Sequence, residues 1–411
     1  LILTPYLAKE TLKLLSQFQG KEIDPWRDEE PGKILHEIRR GELANLGEIP
    51  HTPYFGSVDS TPLFLNLVAA YFQWTNNTTL LRELKTPIEM ALRWIDDYGD
   101  FDGDGFVEYE RKSERGLINQ GWKDSHYAVM HKDGEVAKPP VALVEVQGYV
   151  YAAKKKMSQI FNLLGETEKA KALDVQAEKL KRKFNELFWL EDESFFALAL
   201  DGEKRPVETI TSNPGQALWS GIVDEKKAAL LAERLLQPDM FSGWGIRTVS
   251  KSSRSYNPMS YHNGSVWPHD NALIITGLKK YGFVEQANII ASAIFDAAIH
   301  HSYFRLPELF CGFTRRGNNY PVAYPVACWP QAWAAGSIFL ILQAILGINA
   351  DVPNNVLYIN RPTLPVWLNH VNLTNLTLGP SKLDIAFNRE NKTTSFTVLQ
   401  KEGDIKIVIE E

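Results

Sequence analysis

The stretch Phe161-Asn162-Leu163-Leu164-Gly165-Glu166-Thr167-Glu168-Lys169 joins two long segments of helical apolar spacing, 141–163 and 167–188, through a turn of three residues, Leu164-Gly165-Glu166. So tight a connection lays its two helices antiparallel, as a hairpin. Working outward, the same spacing recurs at 3–19, which stops at Gly20, and at 214–220, 224–236, 265–281, 283–299 and 331–346. Ser60-Thr61-Pro62 opens a helix to about Trp74 with a hydroxyl cap and Pro in the first turn. Thr86-Pro87-Ile88-Glu89 reads as a capping box for another that closes at Gly99. Ten helices result, with almost no strands before residue 355. Their connections alternate between a few residues and twenty or more, as in a ring of helix hairpins with tight turns at one end and elaborated loops at the other.

Past Asp351 the texture changes. Asn355–Ile359, Leu383–Phe387, Ser395–Leu399 and Asp404–Ile409 alternate or carry β-branched residues between Asn, Gly and Pro turns, which predicts a small antiparallel sheet. The expected organisation is a helical unit over 1–350 and a small β region over 351–411.

The 411 residues are enough for a large core, and a formal net charge of −6 with dispersed Lys and Arg argues against nucleic acid as a partner. Cys311 and Cys328 are too few for a disulfide framework and read as buried reduced thiols. No run of 18 apolar residues occurs, and Leu1-Ile2-Leu3-Thr4-Pro5 lacks the basic flank of a signal peptide. A sequon at Asn263-Gly264-Ser265 lies inside a candidate site that a glycan would obstruct. The protein is expected to be cytoplasmic, with no membrane partner.

The long connections carry the chemistry-bearing residues. Asn119-Gln120-Gly121-Trp122-Lys123-Asp124-Ser125-His126-Tyr127 sets a carboxylate beside an aromatic ring, and Leu306-Pro307-Glu308-Leu309-Phe310 surrounds another with apolar neighbours that would raise its pKa. Flat apolar faces, fixed hydrogen-bonding groups and two carboxylates on separate loops are what a sugar site performing glycoside hydrolysis requires. Taken alone, an acidic residue after Pro is more often a helix cap. Tyr261-His262-Asn263-Gly264-Ser265-Val266-Trp267-Pro268-His269 gathers two His and two other aromatics around a Gly, with no partner at zinc spacing, so metal binding there is disfavoured. Asp100, Asp102, Asp104 and Gly105 match the first half of a Ca²⁺ loop, but the twelfth position is Arg111, so an Asx-turn loop without metal is expected and no cofactor is assigned. Glu145 and Gln147 are either core-edge polar groups or sugar ligands.

Tyr54-Phe55-Gly56-Ser57-Val58-Asp59-Ser60-Thr61-Pro62, Gln120-Gly121-Trp122-Lys123-Asp124-Ser125, the 261–268 motif and Leu306–Phe310, in this order, resemble the amylo-α-1,6-glucosidase (glycogen debranching enzyme-like) glycoside hydrolases. These are relatives of trehalase, glucoamylase and processing α-glucosidase in the six-hairpin superfamily. The resemblance spans about residues 21–346 and implies an all-α (α/α)6 barrel, inversion, Asp124 as general acid and Glu308 as general base. It implies that Asp59 holds sugar hydroxyls in the innermost subsite, which Tyr54, Trp122, His262 and Trp267 shape. Phe55, Glu145 and Gln147 complete the candidate substrate-binding set. Ten helices against the family's twelve imply a start inside the barrel, and an N-terminal β-domain is expected in the full-length chain. Lys123 separates Trp122 from the acid, unlike in trehalase-like relatives, and its ammonium is expected to point away from the site. Release of glucose from an α-glucan, at an α-1,6 branch as first choice, is the expected activity. Alternatives are a trehalase-like or mannosylglycerate-type exo-glycosidase, a phosphorylase, and a non-catalytic sugar-binding protein.

Overall fold

The computed structural model describes residues 1–317, 319–391 and 393–410. Its helices are α1 (Pro5–Gln17), α2 (Glu42–Asn45), α3 (Ser60–Thr75), α4 (Thr78–Glu83), α5 (Lys85–Asp97), α6 (Val144–Leu163), α7 (Thr167–Leu187), α8 (Asn213–Ser220), α9 (Glu225–Leu235), α10 (Pro268–Lys280), α11 (Val284–Ala298) and α12 (Ala332–Leu346). Every helix expected from apolar spacing is present, and only the short α2 and α4 are additions. No helix among the described residues is long and apolar enough to cross a membrane.

Neighbour packing sorts the helices into two layers. In the inner layer α3 packs on α6, α6 on α8, α8 on α10, and α10 on α12. Around it, α1 and α5 pack on α3, α7 on α6, α9 on α8 and α11 on α10. Amphipathic helices such as α7, which buries Ala170, Leu173, Ala177, Leu180 and Phe184 on one stripe, supply the outer layer. Inner helices are buried nearly all round, as in α6, where even Glu145, Gln147 and Lys154 are covered.

Two start signals act differently from their sequence reading. Asp59 rather than Ser60 occupies the N-cap of α3, and its carboxylate makes no cap bond; it accepts from the Ser57 hydroxyl at 2.6 Å. Leu84 precedes α5 without a side-chain cap, and Glu89, expected to close a capping box, accepts from Lys169 at 2.6 Å.

Strands β1 (Ala142–Leu143), β2 (Trp189–Leu190), β3 (Phe195–Phe196) and β4 (Ala199–Leu200) form two small antiparallel pairs, β1 with β4 and β2 with β3. The C-terminal region holds β5 (Ile348–Asp351), β6 (Val356–Asn360), β7 (His370–Leu378), β8 (Ser381–Glu390), β9 (Thr393–Glu402) and β10 (Lys406–Glu410). A single antiparallel sheet was the expectation; there are two sheets instead. One is the antiparallel meander β7-β8-β9, and the other, β10-β6-β5, is mixed because β10 runs parallel to β6. β5 touches both α3 and α12 and crosses the expected 350/351 boundary. Leu357, Ile359, Leu378, Leu383 and Phe387 belong to the same apolar core as the helices.

Candidate active site

The inner helices start around one cavity of about 690 Å³, to which each contributes from its first turns or the residue before them: Asp59 and Ser60 at α3, Tyr149 on α6, Gln216 on α8, Trp267 and His269 at α10, Gln331 and Trp333 at α12. Four long connections complete the wall. Segment 18–59 adds His36 and Glu37, 98–143 adds Gly121, Trp122 and Asp124, 236–267 adds Tyr261 and His262, and 299–331 adds Glu308.

Asp124 projects from the loop that carries the 119–127 motif. The loop is anchored beneath by Lys123, whose buried ammonium donates to Asn213 Oδ1 at 2.6 Å and the Thr248 carbonyl at 2.8 Å, away from the cavity. Burial pushes the Asp124 carboxyl above its ordinary range, opposed by His36 and reinforced by Glu37 and Asp59. His262 Nδ1 lies 3.8 Å from Asp124 Oδ1 without bonding it, because Nδ1 faces the Ser125 hydroxyl at 2.7 Å and accepts from the Ser125 amide at 3.3 Å. The amide can only donate, so the His262 proton sits on Nε2. Burial, with Lys123 and His269 nearby, holds His262 well below its usual pKa and therefore neutral.

Glu308 is 5 % exposed and is held at both oxygens. The Tyr261 hydroxyl donates to Oε1 at 2.7 Å, the Cys328 amide donates to Oε2 at 3.0 Å, and Gln331 Nε2 lies 3.4 Å from Oε1. The segment bearing it is braced from outside the cavity by Arg247, which donates to the Gly312 carbonyl at 2.6 Å and Thr314 Oγ1 at 2.8 Å.

Between the carboxylates stands an aromatic wall. The Trp122 ring stands edge-on to Trp267 at 5.5 Å and to His269 at 4.8 Å between centroids, Tyr261 meets Trp267 at 5.0 Å, and His269 stacks flat on Trp333 at 3.8 Å. Such a wall offers apolar faces to the C–H side of a pyranose ring while the carboxylates face its hydroxyls.

Asp59, Trp122, Asp124, His262, Trp267 and Glu308 are thus brought together. Tyr54, Phe55, Glu145 and Gln147 do not line the cavity, and each has a structural reason. Tyr54 is fully buried and donates its hydroxyl to Asp28 Oδ2 at 2.8 Å while accepting from the Leu117 amide at 2.8 Å, which stitches segment 18–59 to segment 98–143. The crossing is so close that a Cβ at Gly116 would sit 2.4 Å from the Tyr54 hydroxyl. Phe55 packs in the core. Gln147 bonds the backbone of Val107 and Leu143, and Glu145 accepts from Asn213 at 2.9 Å. Tyr261 and His269 stand in the 261–269 motif without having been selected as site residues, and Gln331, His36 and Glu37 were not singled out. Their clustering in loops that precede inner helices was the available signal.

The Asp100-Asp102-Asp104 loop has the Asx turns expected of it, with the Asp104 amide donating to Asp102 Oδ1 at 3.1 Å and the Phe106 amide to Asp104 Oδ1 at 2.8 Å. Its three carboxylates lie within 4.8 Å of one another, and the Lys204 ammonium sits against them, 2.9 Å from Asp102 and 2.7 Å from Asp104, also pairing with Glu108. A side-chain cation thus meets the charge of that cluster. Of the two thiols, Cys311 is buried as expected, but Cys328 is exposed.

Residues 21–314 match the family described as mannosylglycerate hydrolase MGH1-like glycoside hydrolase domain. The chain belongs to this family. It is a glycoside hydrolase domain; the match does not extend to debranching enzymes in particular. Comparison with curated proteins gives no match. Among solved structures, the GH63 mannosylglycerate hydrolase from Thermus thermophilus in complex with Tris is similar, with a TM-score of 0.60 and 15% identity over 82% of this chain and 88% of that one. A GH78 family rhamnosidase of Bacillus sp. GL1 aligns at a TM-score of 0.63 and 15% identity, covering 99% of this chain and 36% of its own. A sialidase aligns at 0.59 and 12%, covering 83% and 31%. The chain therefore spans about a third of the sialidase and the rhamnosidase. At such identities the likeness concerns the fold alone, a helix-rich unit compatible with a GH63-like helical barrel followed by β structure.

Proposed function

We propose that this domain hydrolyses a terminal α-linked hexose with inversion at the anomeric carbon, Asp124 acting as general acid and Glu308 as general base. The observation that carries the reading is the difference between two carboxyl groups facing one aromatic-walled cavity. Asp124 is desolvated and raised in pKa, which favours the protonated form that an acid needs to protonate the leaving oxygen. Glu308 is fixed by Tyr261 and the Cys328 amide in the orientation of an acceptor that draws a proton from water. Asp59, 9 % exposed at the cavity's α3 side, is the group for sugar hydroxyls, and Trp122 and Trp267 are the stacking faces. The inner helices are read as part of an (α/α)6 barrel.

Glucose is the first choice of sugar, on the resemblance of the four motifs to amylo-α-1,6-glucosidases. A mannosyl unit linked to glycerate is the second reading, favoured by the family match and by the name of the Thermus enzyme. Proton NMR of the first-formed sugar tests the shared mechanism. An α-glucoside or α-mannoside must release the β-anomer, because inversion needs a water between base and carbon and carboxyl groups roughly 6.5–9.5 Å apart. Initial release of the α-anomer would remove both the inverting assignment and Glu308 as base.

A further inference from the structure

The cavity's charges are unbalanced. Its wall holds the carboxyl groups of Glu37, Asp59, Glu308 and the acid Asp124, and among the described residues no Lys or Arg lines it. Its basic side chains are three imidazoles. His262 and His269 are kept neutral by burial, the latter pushed down to about 3. His36 faces Asp59 and Asp124, whose carboxyls it already attracts. The nearest guanidinium in that segment, Arg39, is spent on both oxygens of Glu37, at 3.0 Å each, and His51 also reaches Glu37 at 3.0 Å. Lys123, close in sequence, is turned under the loop toward Asn213, Glu145 and Asp270.

One feature of the fold opposes this field. The inner helices point their N-termini at the cavity, and helix N-termini attract anions. The protein has answered that attraction internally at three of them. Asp59 stands at the N-cap of α3, Glu145 lies in the first turn of α6 and Asp270 in the first turn of α10. At α12, the amide of Ala332 is taken by the Gln331 side chain at 2.8 Å.

Resting on the hydrolase reading above, we infer that the site takes an uncharged glycoside and discriminates against one whose leaving group carries a carboxylate. A carboxylate on the leaving group, beside Asp124 and opposite Glu308, would meet carboxyl groups and no Lys or Arg among the described lining residues, so the hydration it loses there is not repaid by an ion pair. A hydroxymethyl group in its place meets only hydrogen-bonding groups. The inference separates the two substrate readings, since an alcohol-linked glucose or mannose fits and a glycerate-linked sugar does not.

The test uses matched pairs differing in one group: α-glucosyl and α-mannosyl derivatives of glycerol and of glycerate, with their non-hydrolysable thio-linked counterparts, presented to the unaltered full chain at pH 7. Hexose release reads turnover, and calorimetric titration of the thioglycosides reads binding independently of chemistry. The expected result is that the preferred hexose binds as the glycerol derivative at least about 30-fold more tightly than as the glycerate, ~2 kcal/mol at 1.4 kcal/mol per tenfold. Equal or tighter binding of the glycerate derivative overturns the inference whether or not it is hydrolysed. Failure of all four thioglycosides to bind at millimolar concentration overturns it as well. Preferential binding of the glycerol derivative with no turnover of either substrate upholds the charge selection while sinking the hydrolytic reading, so the two failures are distinct.

Discussion

Replacing Lys123 with Met removes the cation that sits between two buried carboxylates directly beneath the Trp122–Asp124 loop. The ammonium is 4 % exposed, bonds Asn213 and the Thr248 carbonyl, and faces Glu145 and Asp270. Burial holds Lys123 down to about 8 and pushes Glu145 up to about 7, so the network already stabilises the folded state poorly when fully ionised. Without the cation, Glu145 and Asp270 each lose the opposite charge that lowers them while staying buried, and their pKa values rise further. Leaving buried charge uncompensated costs about 3–5 kcal/mol. A chain of this length loses about 0.9 kcal/mol per degree at its midpoint, so the Tm should fall by about 3–6 °C at pH 8. The sign with pH follows from linkage. A carboxyl whose folded pKa lies above its unfolded one loses stability as pH rises from the unfolded value, 4.5 for Glu145, through the folded one. The deficit should therefore shrink at pH 5, below the pKa of about 7 at which Glu145 takes up its proton, with Asp270 shifted in the same direction. Combining Lys123→Met with Glu145→Gln and Asp270→Asn leaves no charge unpaired and should recover most of the loss, since Gln and Asn can still accept from Asn213 and Gln216. Thermal melts at pH 5 and 8 measure this. A deficit independent of pH, or a triple variant as unstable as the single one, would refute the reasoning.

Asp124→Asn and Glu308→Gln should each lower kcat by about 10²–10⁴ or more, with sugar binding retained by calorimetry. Activated aryl leaving groups should partly rescue Asp124→Asn and leave Glu308→Gln inactive. In the unaltered protein, kcat/KM should decline at high pH through a pKa above the ordinary Asp value, the direction in which burial moves Asp124; a decline set at the ordinary Asp value would remove Asp124 as the acid. Tyr54→Phe should cost about 1–2 kcal/mol of stability, because Asp28 loses a buried donor, while KM stays unchanged. A large KM effect with no change in melting would place Tyr54 in substrate binding after all. Gly312→Ala should disrupt the site from outside it, since a Cβ there would lie 1.7 Å from the Gly264 carbonyl. Its expected signature is a lower melting temperature together with lost activity, and normal melting would contradict the packing described.

Helix positions were legible because apolar spacing and short turns report directly on packing, as at Leu164-Gly165-Glu166, and the long loops stood out by their mixture of aromatic, acidic and Gly residues. What stayed hidden was the direction in which a polar side chain points. Tyr54 and Asp59 lie five residues apart in one motif, yet one is a buried stitch and the other faces the cavity. Glu145 and Glu308 are both acidic residues among apolar neighbours, and only the tertiary partners distinguish a network member from a wall residue. The parallel pairing of β10 with β6 was equally invisible, since strand alternation carries no information on which partner a strand will find. Cap motifs misled for a related reason. Ser60 meets the Ser57 hydroxyl three residues before it, and Glu89 a distant partner in Lys169, instead of the helix ends they flank.

Asp59 exposes the trade underlying the site. As N-cap of α3 it could accept from its own helix's amides and add about 0.5–2 kcal/mol of stability, yet its side chain makes no cap bond. Burial raises its pKa, and the Ser57 hydroxyl at 2.6 Å keeps it pointed at the cavity. Just before the helix, the Val58 amide donates to the Gln120 carbonyl at 2.7 Å. That bond joins segment 18–59 to segment 98–143 one residue from Asp59 on one side and one residue from Gly121 on the other, and so holds Asp59 in register with Trp122 and Asp124. The carboxylate that leaves its own helix end uncapped is thereby placed on the wall of the cavity. The stitch by Tyr54 and Asp28 works on the same pair of segments, which is why residues that never reach the cavity lie within the motif that marks it.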